Sequence, residues 1–324
     1  MSDLWAVADA GIVRIVEAEG RWAAARVRSP RAAQCLAVDP RRRETLYLGT
    51  RGEGAWKSED AGRTWSRLGV AATDVYFVAV SPADGGVYLG SEPSGLFVSR
   101  DGGASWRELE ALTSLPSAPS WSFPPRPWTS HVSAIAPHPR DASVLLVGIE
   151  LGGLMRSDDG GASWQDHRPG AQRDVHALAW HPDGDDRAYQ SAGGGATRSR
   201  DGGRTWSPAD DGRDRHYCWG LAVDEVEADT WYVTASSGPR EAHGGDRANA
   251  GVYRRRGEGP WEPLGGLLAR PLHDMPYGLV TSGPRVYVGF RSGTIVVSDD
   301  HGDTWRELPV TGDALDGLRV LIAA

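Results

Sequence analysis

The sequence predicts an all-β protein, a single seven-bladed β-propeller with four antiparallel strands in each blade. Three observations predict it: a repeated eight-residue box, a column of seven tryptophans, and a wrap-around interval of normal repeat length. Repeats of about 40 residues that each contain several short strands are typical of propellers. We therefore expect the 324 residues to form one domain.

The box reads Ser-x-Asp-x-Gly-x-Thr/Ser-Trp and occurs five times, at 58–65, 99–106, 157–164, 199–206 and 298–305. Two degenerate copies keep only the tryptophan, at Trp22 and Trp261. Successive tryptophans of this column lie 43, 41, 58, 42, 55 and 44 residues apart. From Trp305 through the two chain ends to Trp22 is 41 residues. The last repeat therefore closes on the first, which a closed propeller requires.

Each repeat carries the same strand signals. An apolar strand ends at a turn, a second ends in glycine, a third leads into the box, and a fourth begins at the box tryptophan. The C-terminal segment 318–323 matches the first strand of a blade whose other strands come from the N-terminus. We expect it to close the propeller, because closure removes a free sheet edge. The predicted blades are 2–28 with 317–324, 32–70, 74–110, 130–170, 173–209, 215–265 and 274–310.

The boxes resemble the Asp-box, or BNR, repeat of sialidase propellers, tandem-propeller xyloglucanases, sortilin-type receptors and photosystem II assembly factors. The resemblance covers essentially the whole chain and implies the propeller fold, whereas the functions of these relatives differ. It also implies that each box lies at the far end of its blade from the active face. Asp60 and its equivalents are expected to accept hydrogen bonds within the turn, and Gly62 and its equivalents to adopt positive φ. We therefore predict a structural role for the box aspartates rather than a calcium site.

Composition narrows the functional classes. The net charge of −8 and the lack of a long basic run argue against nucleic-acid binding. No stretch approaches the ~20 apolar residues of a membrane span. The first residues lack the basic and apolar regions of a signal peptide, so we expect a cytoplasmic protein. Cys35 and Cys218 lie in apolar stretches and are expected to be buried free thiols.

Propeller ligands are expected at the mouth of the central channel, where each innermost strand begins. One column of residues at these strand starts is polar or aromatic in every blade: Gln34, Tyr76, Ser133, His176, Trp219, Tyr277 and Arg319. A second column follows the glycine that ends strand two: Arg51, Glu92, Glu150, Ala192 and Arg291, with Glu53 and Asp9 nearby. Carboxylates, arginines and aromatic rings around one pocket suit a polar or anionic small molecule. The alternative is that these charges only solvate the face.

Two insertions fall on the same face. Residues 111–129 contain a proline-stiffened aromatic segment with Trp121 and Trp128, which we expect to form a lid over the mouth. The second insertion, between Trp206 and Trp261, holds a polar segment at 236–247. Extra segments at the mouth favour a function for that face.

Two classes of function follow from these residues. The first is an enzyme, a hydrolase or lyase, in which Glu150 and Glu92 are the candidate acid–base pair and His131 and His176 the candidate bases. The mouth histidines with Glu150 could also bind a divalent metal, and no other cofactor is expected. The second class is a non-catalytic binding or assembly module that presents its charged face to a protein partner. A sialidase proper is not expected because its Arg-Ile-Pro motif is absent, nor is a xyloglucanase, because those pair two propellers.

Overall fold

The structure, a computed structural model, describes residues 3–123, 129–227, 229–245 and 247–324. Seven sheets account for its strands, and the fold is the seven-bladed β-propeller predicted. Clustering of contacts divides the chain into two compact units. The first unit contains Arg28–Gln190 with Arg198–Ser207, and the second contains Met1–Val27, Ser191–Thr197 and Pro208–Ala324.

The strands follow one another from sheet to sheet in chain order. The N-terminal sheet contains β1 (Asp3–Ala8), β2 (Gly11–Ala18) and β3 (Arg21–Arg26), and gains β27 (Val310–Gly312) and β28 (Val320–Ala323). The next three sheets are β4 (Ala33–Asp39), β5 (Arg42–Thr50), β6 (Ala55–Ser58), β7 (Ser66–Arg67); β8 (Val75–Val80), β9 (Val87–Ser91), β10 (Leu96–Ser99), β11 (Arg107–Glu108); and β12 (Val132–Pro137), β13 (Leu145–Ile149), β14 (Gly153–Ser157). The last three are β15 (Val175–Trp180), β16 (Ala188–Ala192), β17 (Gly195–Ser199), β18 (Ser207–Pro208); β19 (Tyr217–Val223), β20 (Thr230–Ser236), β21 (Gly251–Arg256), β22 (Glu262–Pro263); and β23 (Gly278–Ser282), β24 (Arg285–Gly289), β25 (Ile295–Ser298), β26 (Arg306–Glu307). A short helix, α1, spans Pro239–His243, and 3-10 turns lie at Ala118–Ser120 and Gly266–Leu268.

The sheet of β12–β14 has three strands where the sequence predicts four. Among the described residues, its fourth strand is reduced to one bridge between Arg156 and Gln165. The other sheets each have at least four strands.

The glycine that ends the second strand of a blade allows the next blade to approach. A Cβ atom at that position would lie closer than 3.0 Å to a side chain of a buried valine in the following blade. This holds for the pairs Gly49–Val75, Gly90–Val132 and Gly148–Val175. The repeated glycine in the sequence is therefore a requirement of packing between blades, because a side chain there would overpack the interface.

The C-terminal strand closes the N-terminal sheet, as predicted. β28 pairs antiparallel with β1, from Leu4 opposite Ala323 to Val7 opposite Val320. Leu318, just before β28, is completely buried. The structure adds β27, which pairs in parallel with β3 at the other side of the sheet and was not predicted.

The five boxes share one hydrogen-bond pattern. In the first, the Gly62 backbone N–H donates to Ser58 Oγ at 2.8 Å, and Asp60 accepts from the Ser58 and Thr64 hydroxyls and from the Thr64 N–H. The glycines equivalent to Gly62 all have positive φ, between 77° and 97°. Both oxygens of the box aspartate thus accept bonds inside the turn, which agrees with the predicted structural role.

These hydrogen bonds make stability depend on acidic pH. Bonds from Ser or Thr hydroxyls and the following backbone N–H lower the pKa of Asp60, Asp101 and Asp300 to about 2. Because the folded pKa lies below the unfolded value of about 3.9, the stabilisation is complete above that value and disappears as pH falls through about 2. We expect the melting temperature to fall between about pH 4 and pH 2. The triple variant with Asp60, Asp101 and Asp300 replaced by asparagine should have a lower melting temperature at pH 7. Its melting temperature should also change less between about pH 4 and pH 2.

The control for this prediction is Asp316→Asn, an exposed aspartate outside every box. It should follow the wild-type profile of melting temperature against pH. Parallel acid profiles of the triple variant and the wild type would contradict the assignment.

Both cysteines are buried and neither forms a disulfide, as predicted. Burial raises the pKa of the Cys35 and Cys218 thiols to about 12, so neither is a nucleophile at neutral pH. Within the described ranges, no helix combines the length and apolar character needed to cross a membrane.

Candidate functional site

A β-bulge lies at the start of the innermost strand in several blades. The pairing register shifts at Gln34, Tyr76 and Ser133, and again across Trp219 and Gly220. Bulges re-aim side chains and are common beside active sites. Four members of the polar or aromatic column predicted from the sequence therefore lie at a bulge, and these four are half-buried while the residue before each is buried.

Three predicted residues meet in the unit that contains Arg28–Gln190. The His131 Nε2 atom lies 2.6 Å from Glu150 Oε2, and its Nδ1 atom lies 3.9 Å from Glu92 Oε2. Only 3% of His131 is exposed, whereas solvent reaches 14% of the Glu92 side chain and 13% of the Glu150 side chain. One buried imidazole is therefore flanked by two partly exposed carboxylates.

Neighbouring side chains fix this group. The Tyr76 ring lies against the His131 ring at 4.1 Å between centroids, and the Phe123 ring meets it edge-on at 5.2 Å. The Thr129 hydroxyl donates a hydrogen bond of 2.8 Å to Glu92 Oε1. The imidazole and one carboxylate are thus held in position before any ligand binds.

The hydrogen bond to Glu150 determines the tautomer of His131. A carboxylate accepts the proton of Nε2–H, which leaves the lone pair of a neutral imidazole on Nδ1. Nδ1 has no hydrogen-bond partner among the described residues. Its 3.9 Å separation from Glu92 Oε2 is too long for a direct hydrogen bond, but one oxygen atom about 2.8 Å from each would bridge them.

His176 lies on β15, next to Glu150, and brings Asp174 with it. Its Nε2 atom is 3.6 Å from Asp174 Oδ1, and only 1% of its side chain is exposed. Ligand-capable atoms of Glu150, Asp174 and His176 all lie within 4.8 Å of one another. Both candidate bases and both candidate glutamates therefore belong to one continuous cluster.

The predicted residues Arg51, Tyr76 and Gln34 form a second contact group in the same unit. The Arg51 guanidinium donates to the Tyr76 hydroxyl at 3.2 Å and to Gln34 Oε1 at 3.4 Å. Because Tyr76 also covers His131, this group extends the site with a cation. Glu53 is exposed and makes none of these contacts.

In the unit that contains Pro208–Ala324, Trp219 and Tyr277 form an aromatic cluster with Tyr217 and His243. The Tyr217 hydroxyl donates to His243 Nε2 at 3.0 Å, and His243 Nδ1–H donates to the Tyr277 hydroxyl at 2.8 Å. The Trp219 ring meets the Tyr277 ring edge-on at 5.6 Å. Burial raises the pKa of Tyr277, whose hydroxyl donates to the Ala242 carbonyl.

The two remaining predicted arginines of that unit have structural contacts. Arg319 forms an ion pair of 2.9 Å with Asp9. The Arg291 backbone donates to Met275 and accepts from Gly317, while its side chain is exposed.

Residues 111–123 of the insertion at 111–129 pack against the blade that follows them. Trp121, predicted to bind ligand, is 6% exposed and belongs to a hydrophobic core with Leu112. Its indole N–H donates to Ser117 Oγ, which donates to Asp166. Trp121 thus packs in a core and leaves little surface for a ligand, and its predicted ligand role stays a prediction. Trp128 lies outside the described residues, so the lid remains a prediction.

The sequence reasoning missed Asp174, Thr129 and Phe123. Asp174 precedes His176 by two residues at a strand start, and this Asp-x-His spacing was a usable signal. Thr129 and Phe123 reach the site from the insertion, where no repeat pattern identifies a position.

Comparisons with known proteins agree with the fold. No family model matches the chain, and no curated protein matches it. A GH74 xyloglucanase from Xanthomonas campestris has a TM-score of 0.65 and 17% identity over 85% of this chain and 45% of that one. An ancestral GH74 enzyme has a TM-score of 0.62 and 18% identity over 90% of this chain and 38% of that one. This chain therefore spans less than half the length of these two relatives.

A structure of YCF48 bound to D1 peptide has a TM-score of 0.59 and 17% identity, and the match covers 87% of this chain and 82% of that one. The GH74 and YCF48 neighbours are seven-bladed propellers of the kind that the boxes resemble. At these identities the similarity shows the fold alone.

Proposed function

We propose that this chain binds a polar small molecule at Glu92, His131 and Glu150, and that it is a hydrolase or lyase. The observation that supports this proposal is the buried His131 ring, whose Nε2 is bonded to Glu150 and whose Nδ1 faces Glu92 across 3.9 Å. A carboxylate that orients an imidazole toward a reacting hydroxyl is a common arrangement for general-base catalysis.

In the proposed step, a water molecule or a ligand hydroxyl lies between His131 Nδ1 and Glu92. Nδ1 accepts its proton, and the Glu150 carboxylate stabilises the imidazolium that forms. A water molecule in this position keeps its second hydrogen bond to Glu92 while its oxygen attacks the ligand. The imidazolium then returns the proton to the leaving group, so the residues end as they began.

This arrangement differs from the carboxylate pair first expected. Glycoside hydrolases usually place two carboxyl groups on either side of the scissile bond. Here an imidazole ring lies between Glu92 and Glu150. The geometry therefore favours proton transfer through His131 over a mechanism with two facing carboxylates.

The experiment uses nitrophenyl glycosides, esters and phosphates together with xyloglucan oligosaccharides. We expect the wild type to turn over at least one of them. Glu150→Gln and Glu92→Gln should each lower kcat/KM by about 10²-fold or more, because each replaces a carboxylate beside the imidazole with a neutral amide. The matched control is Glu59→Gln in the first box, where the glutamate pairs with Lys57.

Circular dichroism melting of all variants separates lost chemistry from lost folding. Unchanged kcat/KM in both glutamine variants would contradict the proton-transfer role. Failure of every substrate would favour the second candidate below.

The second candidate is a non-catalytic module that binds a protein segment. It is favoured by the partly exposed Trp219 and Tyr277 rings and by the peptide bound to the YCF48 neighbour. In this case Trp219→Ala should abolish binding of a fluorescent peptide that the Glu92→Gln variant still binds. The cytoplasmic location remains a prediction under either candidate.

A further inference from the structure

Glu150, Asp174 and His176 present one oxygen or nitrogen each to the same small space. The three atoms lie within 4.8 Å of one another, and His176 Nε2 is 3.6 Å from Asp174 Oδ1. Two ligands of a tetrahedral zinc ion, each about 2.1 Å from it, lie about 3.4 Å apart. The observed separation therefore matches ligands that share one cation better than it matches a direct hydrogen bond.

The ion-pair partners of Glu150 and Asp174 among the described residues are histidines. They are His131 and His176, with no lysine or arginine in the part of the chain that the structure describes. Solvent reaches only 13% of the Glu150 side chain and 25% of the Asp174 side chain. Carboxylate oxygens and an imidazole nitrogen that converge in a partly buried space form a donor set suited to a transition-metal ion.

A second cluster in the same unit shows how the chain satisfies such a group without a metal. His181, Asp183 and Asp185 also bring three ligand atoms within 4.8 Å. There, however, Arg187 Nη2 lies 2.7 Å from Asp185 and 3.1 Å from His181 Nδ1. The guanidinium occupies the place of a cation in that cluster, whereas none of the described arginines forms an ion pair with Glu150 or Asp174.

We propose that Glu150, Asp174 and His176 bind one divalent transition-metal ion, Mn²⁺ or Zn²⁺. An imidazole nitrogen among the ligands favours these ions over Mg²⁺ and Ca²⁺, which prefer all-oxygen sites. Three protein ligands leave at least one position open for water or a ligand atom. The hydrogen bond from His131 would orient Glu150, as outer hydrogen bonds do for metal-binding carboxylates.

The test is isothermal titration of the full chain, stripped with EDTA, with MnCl₂ and with ZnCl₂. We expect one ion per chain for the wild type. Asp174→Asn and His176→Gln should each weaken binding at least ten-fold. Asp185→Asn is the matched control in the cluster satisfied by Arg187, and it should bind as the wild type does.

Melting curves of the metal-free proteins confirm that each variant is folded, and a rise in melting temperature on adding the ion gives a second readout. The proposal would be overturned if the wild type bound neither Mn²⁺ nor Zn²⁺. It would also be overturned if Asp174→Asn bound these ions as tightly as the wild type does. A loss in Asp185→Asn equal to that in Asp174→Asn would overturn it as well.

This inference goes beyond the proposed function because metal binding is measured without a substrate. Failure of the substrate panel with normal metal binding would remove the hydrolase or lyase proposal and keep the metal site. If the protein bound neither ion but its turnover fell in Glu92→Gln, the metal site would be removed and the hydrolase or lyase proposal kept.

Discussion

Deletion of Leu318–Ala324 is expected to leave the chain unable to fold into a soluble protein. The deletion removes β28 and exposes the edge of β1, whose residues from Leu4 to Ala8 are almost completely buried. It also removes Leu318, which fills the space above Gly289. Each buried leucine contributes about 1.5–3 kcal/mol, and a domain is stable by only about 5–15 kcal/mol in total. An exposed apolar edge strand also promotes aggregation.

The measurement is soluble yield together with the circular dichroism melting curve. Arg319→Ala is the matched control, because it removes an exposed side chain from the same segment and keeps the strand. A circular permutant offers a second check, since the Ala324 N–H donates to the Asp3 carbonyl at 2.9 Å. In this permutant residue 324 is joined to residue 3 by a short turn, and the new ends lie between 312 and 313. It keeps β28 beside β1, so we expect it to fold, unlike the deletion variant. A deletion variant that melts like the wild type would show that closure is not required.

Replacement of Trp261 by alanine is expected to cost about 3–5 kcal/mol of unfolding free energy, which is typical of a buried large-to-small change. Trp261 is 2% exposed, and its ring meets the Trp231 ring at 4.5 Å. The Arg213 guanidinium lies 5.4 Å from the ring centroid, and the indole N–H donates to the Ala209 carbonyl. Truncation therefore creates a cavity and leaves the Ala209 carbonyl with only the long 3.5 Å bond from Arg213 Nη1.

Urea unfolding of three variants measures this effect. Trp261→Phe keeps most of the volume and loses the N–H, so we expect roughly 1–2 kcal/mol. Trp65→Ala, at a half-buried position in an intact box, should cost clearly less than Trp261→Ala. If Trp65→Ala and Trp261→Ala cost equal unfolding free energy, burial does not determine how much each tryptophan of the column contributes to stability.

If the intactness of the box determined stability, Trp65 would be expected to contribute more than Trp261. We predict the opposite. Trp261 belongs to a repeat that has lost its box, whereas Trp65 ends an intact copy. The box stabilises its own turn through local hydrogen bonds, so its loss says little about the tryptophan that follows. How deeply each tryptophan is buried depends on the neighbouring blade, which the motif does not encode.

The fold could be predicted because its determinants repeat along the chain. The tryptophan spacing, the glycine at the end of strand two and the 41-residue wrap-around are properties of consecutive residues. Each of these features marks one blade, and the nearly constant repeat length gives the number of blades. The strand β27 was missed because its parallel pairing with β3 joins segments almost a whole chain apart.

The candidate site could be predicted only as a face and a set of residue types. The strand starts and the turn after strand two were identified, and Glu92, His131, Glu150 and His176 lie close together there. The His131–Glu150 contact lies within one blade, whereas Glu92 and His176 come from the blades on either side of it, and the repeat pattern does not show how closely those blades approach. Trp121 shows why residue type alone is a weak guide, because an aromatic side chain in a loop can pack in a core as well as contact a ligand.

The sequence by itself determined that this protein is a seven-bladed propeller closed by its last strand, because repeat spacing and box turns are local and periodic. Only the tertiary structure decided that His131 lies between two glutamates and that Asp174 joins Glu150 and His176. The physical reason is that Gly90 and Gly148 let Val132 and Val175 of the following blades approach closely, which brings His131 near Glu92 and His176 near Glu150.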